Sequence, residues 1–251
     1  MTRVYPSATG DRIAVVTGAS SGIGAAAANV LAHQGFQVVL LARRAELVKT
    51  VADEVGGTAV VADITDGDAI AKLADRLERV DVLVNNAGGA KGLEPIAEAD
   101  LDHWRWMWEV NVLGTLQVTR ALLPKLVAPG NGLIVTITST AAFETYDGGA
   151  GYTSAKHAEG ALHRTLRGEL LGKPERLTEI APGMVETGFS LVRFGGDQQQ
   201  ADAVYEGMIQ LDAEDVAEVI GFVATRPPHV DLDLVVVRPR DQVNATRHVR
   251  R

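Results

Sequence analysis

The chain has 251 residues, a formal net charge of −8 and no cysteine. Those figures exclude a disulfide framework and a thiolate metal site or nucleophile, and they argue against a nucleic-acid surface, which rests on clustered Lys and Arg. With 46% hydrophobic and 22% charged residues, the composition is that of one globular domain able to bury a large core.

The opening stretch "MTRVYPSATGDR" holds no continuous apolar run, and no later segment approaches the roughly 20 apolar residues of a membrane span. A soluble, cytoplasmic protein without a membrane contact is expected. The basic end "RHVRR" is too short to change the acidic balance.

Seven short apolar runs follow one another: "IAVVT", "QVVLLA", "TAVVA", "DVLVN", "GLIVTITS", "RLTEIA" and "LDLVVV". Continuous apolar strands separated by helix-length segments predict βαβ units, hence a doubly wound parallel sheet with helices on both faces. No repeat, low-complexity tract or linker divides residues 1–251, so one domain is expected. The least regular region, about 182–210, follows the penultimate strand and is a candidate lid at the carboxyl end of the sheet.

The first strand runs into "TGASSGIGAAAANVLAHQG", with Gly18, Gly22 and Gly24 between strand and helix. Glycines let the backbone approach a pyrophosphate, and the helix N-terminus offers unpaired N–H groups and the positive dipole end. A dinucleotide fits; so, for the glycines alone, does an ordinary tight turn.

After the second strand there is no acid between Gly24 and Glu46; Arg43 and Arg44 stand there instead. An acid would hold a ribose 2′-hydroxyl, whereas arginine accommodates a 2′-phosphate through its planar fork of donors. The pair therefore favours NADP over NAD. The alternative, a solvated helix start, is less comfortable because cations oppose the dipole there.

Farther on, "DVLVNNAGGA" ends a strand in Asn85, Asn86, Ala87 and Gly88, and "NVLGT" sets Asn111 among apolar neighbours in a helix. "HWRWMWEV" gathers Trp104, Trp106 and Trp108; Trp104 and Trp108 share a helical face, which fits core packing or a subunit contact better than an aromatic substrate box. "LIVTITSTAAF" ends a strand near Ser139, and after a glycine-rich turn Tyr152 and Lys156 lie one helical turn apart. The six histidines, His157 beside the last motif included, show no metal-ligand spacing, so no metal is expected.

With these residues the chain resembles the short-chain dehydrogenase/reductase family over nearly its whole length. The matches are T-G-x-x-x-G-x-G at 17–24, N-N-A-G at 85–88, Asn111, Ser139, Y-x-x-x-K at 152–156, and "APGMVET" at 181–187, similar to the turn beside the nicotinamide. The resemblance implies a Rossmann fold, a homotetramer, and a cofactor held by Gly18, Ser20, Ser21, Gly22, Ile23, Gly24, Arg43, Arg44, Asp63, Ile64, Asn86, Ala87, Gly88, Tyr152, Lys156, Pro182, Gly183, Val185 and Thr187.

Hydride transfer at a carbinol carbon needs an acid/base beside its oxygen, and a free phenol titrates near about pH 10, too high to serve as base at neutrality. Lys156 would favour the phenolate of Tyr152 by its charge, while Ser139 would donate to the substrate oxygen and orient it. On the family's pattern Lys156 also holds the nicotinamide ribose, and Asn111 fixes a water that resupplies the proton.

The second half is similar to the subgroup of NADP-dependent 3-hydroxy acid dehydrogenases acting on serine-like substrates and to the clavulanic-acid-forming reductases. A 3-hydroxy acid needs a cationic partner for its carboxylate; Arg193 is the first candidate and Lys91 the second. Arg193 could equally tether the lid. Two other functions stay open: a dinucleotide sensor on the same fold, which would have no need of Ser139, Tyr152 and Lys156, and a 3-oxoacyl thioester reductase, disfavoured because no glycine-rich turn precedes the last strand.

Overall fold

In the computed structural model, which describes residues 12–251, each of the seven apolar runs forms a strand. They are β1 (Ile13–Thr17), β2 (Gln37–Ala42), β3 (Thr58–Val61), β4 (Val82–Asn85), β5 (Leu133–Ile137), β6 (Arg176–Pro182) and β7 (Leu234–Val237). The opening segment up to residue 11, including most of the stretch read above for an apolar run, lies outside the described residues.

Neighbouring strands are parallel throughout, in the order β3-β2-β1-β4-β5-β6-β7. Parallel neighbours need long crossovers. These carry α1 (Gly22–His33), α2 (Ala45–Val55), α3 (Gly67–Asp75), α4 (Leu101–Trp108), α5 (Thr115–Val127), α6 (Ala150–Glu169), α7 (Phe189–Arg193), α8 (Gln198–Ala203) and α9 (Ala213–Ala224).

Side chains alternate across a strand, and the two faces of the sheet bury separate cores. Ala14, Val16, Val38, Leu40, Leu133 and Val135 meet Leu31 of α1, Val48 of α2 and Ile220 of α9. Val15, Leu41, Leu83 and Ile134 meet Ile70 and Leu73 of α3 and Leu122 and Leu126 of α5. Each fully buried Leu or Ile contributes about 1.5–3 kcal/mol. The result is a single-domain doubly wound Rossmann fold.

The winding reverses between β1 and β4, and a crevice opens there at the carboxyl ends of the strands. Thr17, Ala42, Val61, Asn85, Ile137 and Pro182 are the last residues of their strands, so the segments expected to hold the site all emerge on one edge.

Two local features matter there. Helices α3, α4 and α9 are capped by Asp66, Asp100 and Asp212, whose side chains accept hydrogen bonds from first-turn N–H groups. The Ser21 side chain makes no such bond at the start of α1, and its first turn holds no acid, leaving that N-terminus open to an anion. Between α4 and α5 the chain makes a π-helical turn at Glu109–Gly114, which sequence periodicity did not suggest; such turns are frequent at functional sites.

The expected lid region is more ordered than its sequence implied. β6 runs through Pro182, and α7 and α8 follow, the latter capped by Asp197. Beyond β7 the chain folds back: Gln242 accepts from the Met184 N–H at 3.0 Å, Arg238 pairs with Glu144 at 2.6 Å, and the Arg251 N–H donates to the Gly207 carbonyl at 2.7 Å.

Candidate active site

The glycine turn and the N-N-A-G turn are stitched into one surface. Thr17 Oγ1 accepts from the Asn86 and Ala87 N–H groups, both at 3.0 Å, and Asn86 Nδ2 donates to the Thr17 carbonyl at 2.9 Å. A Cβ at Gly24 would fall 2.5 Å from both the Gly18 carbonyl oxygen and Asn86 Nδ2, and one at Gly18 2.9 Å from Ala87 Cα. Gly18 and Gly22 also have φ of 67° and 54°, which glycine alone adopts cheaply. Close approach of two backbone segments thus requires these glycines.

Arg44 turns back to this surface. It donates to Ser20 Oγ from Nε and Nη2 (3.1 and 2.8 Å) and to Ser21 Oγ at 2.5 Å, beside the open end of α1. Arg43 stays exposed and pairs loosely with Asp63 at 3.5 Å. Although partial burial pushes Asp63 the other way, hydrogen bonds from the Thr65 N–H and hydroxyl and the Arg43 charge hold it below the usual carboxylate range.

A cavity of about 660 Å³ runs from these residues to α7. Gly18, Ser20, Ser21, Gly22, Ile23, Arg43, Arg44, Asp63, Ile64, Asn86, Ala87, Gly88, Ser139, Tyr152, Lys156, Pro182, Gly183, Val185, Thr187 and Arg193 line it. Of the residues named from sequence for the site, Gly24 and Asn111 stand behind the wall instead, and Lys91 is outside it, with Nζ 4.7 Å over the Trp106 ring.

Ser139 lies two residues beyond β5, where its hydroxyl oxygen accepts from the Ala141 N–H at 3.1 Å. Tyr152 lies in the first turn of α6, packed edge-on to Phe189 at 5.4 Å. Lys156, one turn on, is 4% exposed, and its Nζ donates to the Ile137 carbonyl at 3.1 Å and to Glu159 Oε2 at 2.6 Å. Glu159 had no part in the sequence reading, where an i+3 pair on a helix looks like a surface contact.

Asn111 is fully buried within the π-helical turn. Its Nδ2 donates to the Gly89 and Met107 carbonyls (2.9 and 2.7 Å) and its Oδ1 accepts from the Gly89 N–H at 3.1 Å. The side chain therefore clamps the strand-end turn next to Gly88, within reach of Lys156: a Cβ on Gly88 would sit 2.5 Å from Asn111 Oδ1 and 3.5 Å from Lys156 Nζ.

The other end of the cavity is aromatic and cationic. Arg193 lies 5.1 Å over the Tyr152 ring and 5.0 Å over Phe189, and its Nη2 donates to Tyr146 Oη at 3.0 Å. Its buried Nε has no protein partner among the described residues. Burial pushes the Tyr146 phenol up, only partly offset by the Arg193 charge, so Tyr146 stays a neutral hydroxyl. The Arg193 carbonyl also accepts from the Gly92 N–H at 3.0 Å, docking α7 on the loop after β4.

Several lining residues were not anticipated. Trp106 lies on the cavity wall as well as packing over Gly89, whereas Trp104 packs on Gly151 and Trp108 is partly exposed. Tyr146, Tyr205, Gln242, His248 and Arg250 also line it, brought by segments distant in sequence. His157 bonds back to the Thr153 carbonyl within α6 and does not line the cavity. Among the described residues no acidic, histidine or cysteine cluster could hold a metal, and no helix is long and apolar enough to cross a membrane.

Comparison with known proteins places this arrangement. The short chain dehydrogenase family model matches residues 12–193. An uncharacterized oxidoreductase of Mycobacterium tuberculosis is 72% identical over 239 residues, covering 95% of both chains. The serine 3-dehydrogenase of Agrobacterium fabrum is 38% identical over 234 residues, covering 91% of this chain and 94% of its own. The closed form of a serine dehydrogenase complexed with NADP+ superimposes with a TM-score of 0.90 at 36% identity, over 95% of this chain and 99% of that one. The chain therefore belongs to the short-chain dehydrogenase family, in the branch that holds the serine dehydrogenases.

Proposed function

We propose that this protein is an NADP(H)-dependent oxidoreductase of small secondary alcohols and their carbonyl counterparts, with 3-hydroxy acids as the favoured class. The observation that carries the reading is one continuous cavity with two arginines and an open helix N-terminus at one end and Ser139, Tyr152, Lys156 and Arg193 at the other.

The residues present fit a dinucleotide. Gly18 and Gly22 leave room for a pyrophosphate against the uncapped α1 N-terminus, and Arg44, held by Ser20 and Ser21, presents a guanidinium to a ribose 2′-phosphate. Asp63, Ile64, Asn86, Ala87 and Gly88, which line the same cavity, would hold the adenosine and ribose, and Pro182, Gly183, Val185 and Thr187 would hold the nicotinamide. When bound, the cofactor supplies or accepts the hydride.

The chain's own groups handle the proton. Tyr152 gives or takes it at the substrate oxygen; the Lys156 ammonium favours the phenolate, and the Ser139 hydroxyl donates to the same oxygen and fixes its position. Asn111 holds the turn at Gly89, and the water-linked return of the proton to Lys156 is assigned to it on the family's pattern. Arg193 takes the substrate carboxylate, its orphan Nε being a donor in want of an acceptor. Residues 182–210 form the lid over it, a role supported by the likeness to a closed NADP+ complex.

Initial rates of NADPH and NADH oxidation with a panel of aldehydes, ketones and 3-oxo acids test the proposal. Turnover with NADPH, little with NADH, and a loss of about 10³-fold or more in Tyr152→Phe with cofactor affinity unchanged is the expected outcome. No turnover in the face of NADPH binding returns the sensor reading, and loss of NADPH binding in Tyr152→Phe makes that residue structural.

A further inference from the structure

Helix α6 turns Lys156, Glu159 and His163 toward the sheet, and all three are buried, Glu159 being 1% exposed. Residues spaced by three and four share one helix face, which in a doubly wound fold belongs to the apolar core. Burying ionised groups costs several kcal/mol per ion unless geometry and hydrogen bonds compensate. Here they do. Glu159 Oε2 accepts from Lys156 Nζ at 2.6 Å, and Oε1 accepts from the Thr115 hydroxyl of α5 at 3.0 Å.

Lysine has three donors. Two are taken by Glu159 and the Ile137 carbonyl, which fixes the ammonium and leaves one N–H on a residue that lines the cavity with Tyr152 and Ile137. The Tyr152 ring centroid is 5.9 Å from Nζ.

We propose that Glu159 is a positioning residue: by pairing with Lys156 behind the cavity wall it keeps that lysine protonated and aimed, and so sets the pH at which Tyr152 can exchange its proton. This rests on reading Tyr152 and Lys156 as the acid/base pair. Burial opposes the Lys156 ammonium, but the Glu159 charge, aided by Tyr152 and Glu179, holds its pKa above the ordinary value.

The other polar groups around the pair are accounted for. Glu179 of β6 is bound by the Thr138 hydroxyl at 2.9 Å and by Arg164 at 2.9 Å, so its charge is matched on its own side. His163, hydrogen-bonded with Thr136, is lowered to about 4 by burial and stays neutral near neutrality. Without the Glu159 charge, burial opposes the Lys156 ammonium with less against it, and a lysine that sheds its proton leaves a Tyr152 phenolate without the cation beside it.

The test reads Tyr152 directly. Near-ultraviolet tyrosinate absorbance is followed against pH, with and without NADP+, and subtracting the same titration in Tyr152→Phe isolates one of the four tyrosines. Glu159→Gln keeps shape and a Thr115 contact but removes charge, and is expected to move the Tyr152 midpoint up by at least about one pH unit. Glu159→Asp, which restores the charge, brings the midpoint back toward that of the unsubstituted protein. A midpoint that stays put or moves down in Glu159→Gln, or moves as far in Glu159→Asp, overturns the proposal.

Should Glu159→Gln not fold, Thr115→Val carries the test. Removing the donor to Glu159 weakens its ionised form, and the midpoint rises by about half a unit; no rise overturns the proposal. Because this signal needs no substrate, a Tyr152 that responds to Glu159 in a protein inert to the whole panel breaks the oxidoreductase reading and leaves this inference standing.

Discussion

At the glycine end of the cavity the wall is main chain: Gly18, Gly22 and the Asn86–Gly88 turn, held by Thr17 and Asn86. At the α7 end it is side chain: Leu93, Trp106, Tyr146, Phe189, Arg193 and Tyr205, with Gln242, His248 and Arg250 from the returning tail. A main-chain wall recognises what all dinucleotides share, a pyrophosphate, and tolerates no added atom. A side-chain wall recognises one substrate class and can be retuned residue by residue. Damage to the first should therefore be nearly all-or-none, and damage to the second graded and ligand-dependent.

Gly24→Ala is the harshest way to break that contrast. Its Cβ would meet the Gly18 carbonyl oxygen at 2.5 Å, and because the obstacle is backbone, no rotamer relieves it. We expect NADPH affinity to fall by about 100-fold or more and stability by about 1–3 kcal/mol, the usual cost of overpacking, read by cofactor fluorescence titration and thermal melting. Unchanged NADPH affinity would mean that the two turns slide apart freely and that the main-chain wall is not rigid.

Arg193→Ala probes the other end. Removing a charge-assisted contact worth about 1.5–3 kcal/mol should raise KM for carboxylated substrates by about 10- to 100-fold and leave neutral alcohols nearly unaffected. Equal changes for both classes would make Arg193 a brace for α7, through Tyr146 Oη and the Gly92 N–H, rather than a ligand for substrate.

The same division explains what could be read before any fold was known. Main-chain walls write themselves locally, because only glycine fits at Gly18 and Gly24, and the buried strands show as β-branched runs such as "IAVVT" and "QVVLLA". Side-chain walls do not. Arg193 and Tyr146 are 47 residues apart, and the tail that carries His248 looks, in sequence, like an inconsequential basic end. Trp106, set apart from Trp104 and Trp108 by helical spacing, needed the position of Gly89 to be placed on the cavity wall. Glu159 was invisible for a related reason: an i,i+3 Lys–Glu pair is ordinarily a solvated contact, and only the sheet packed over α6 makes it a buried ion pair. The π-helical turn at Asn111 has no residue signature; the side chain it carries reaches the Met107 and Gly89 carbonyls, partners that only the folded chain brings together.

The two arginines give the finest test, because they stand where the main-chain wall meets the first recognising side chains. Arg43 is 60% exposed and shares its charge with Asp63 at 3.5 Å, whereas Arg44 is held by two serine hydroxyls beside the open end of α1. A guanidinium already fixed in place loses less freedom when it takes a phosphate, and an exposed one is screened by solvent. Arg44→Ala should therefore lower kcat/KM with NADPH by about 10-fold while hardly changing that with NADH, and Arg43→Ala should cost about 3-fold. The order of the two is what matters. If Arg43→Ala costs more, the serine contacts make Arg44 a strut of the glycine turn, and discrimination between the two cofactors belongs to the flexible side chain rather than to the preorganised one.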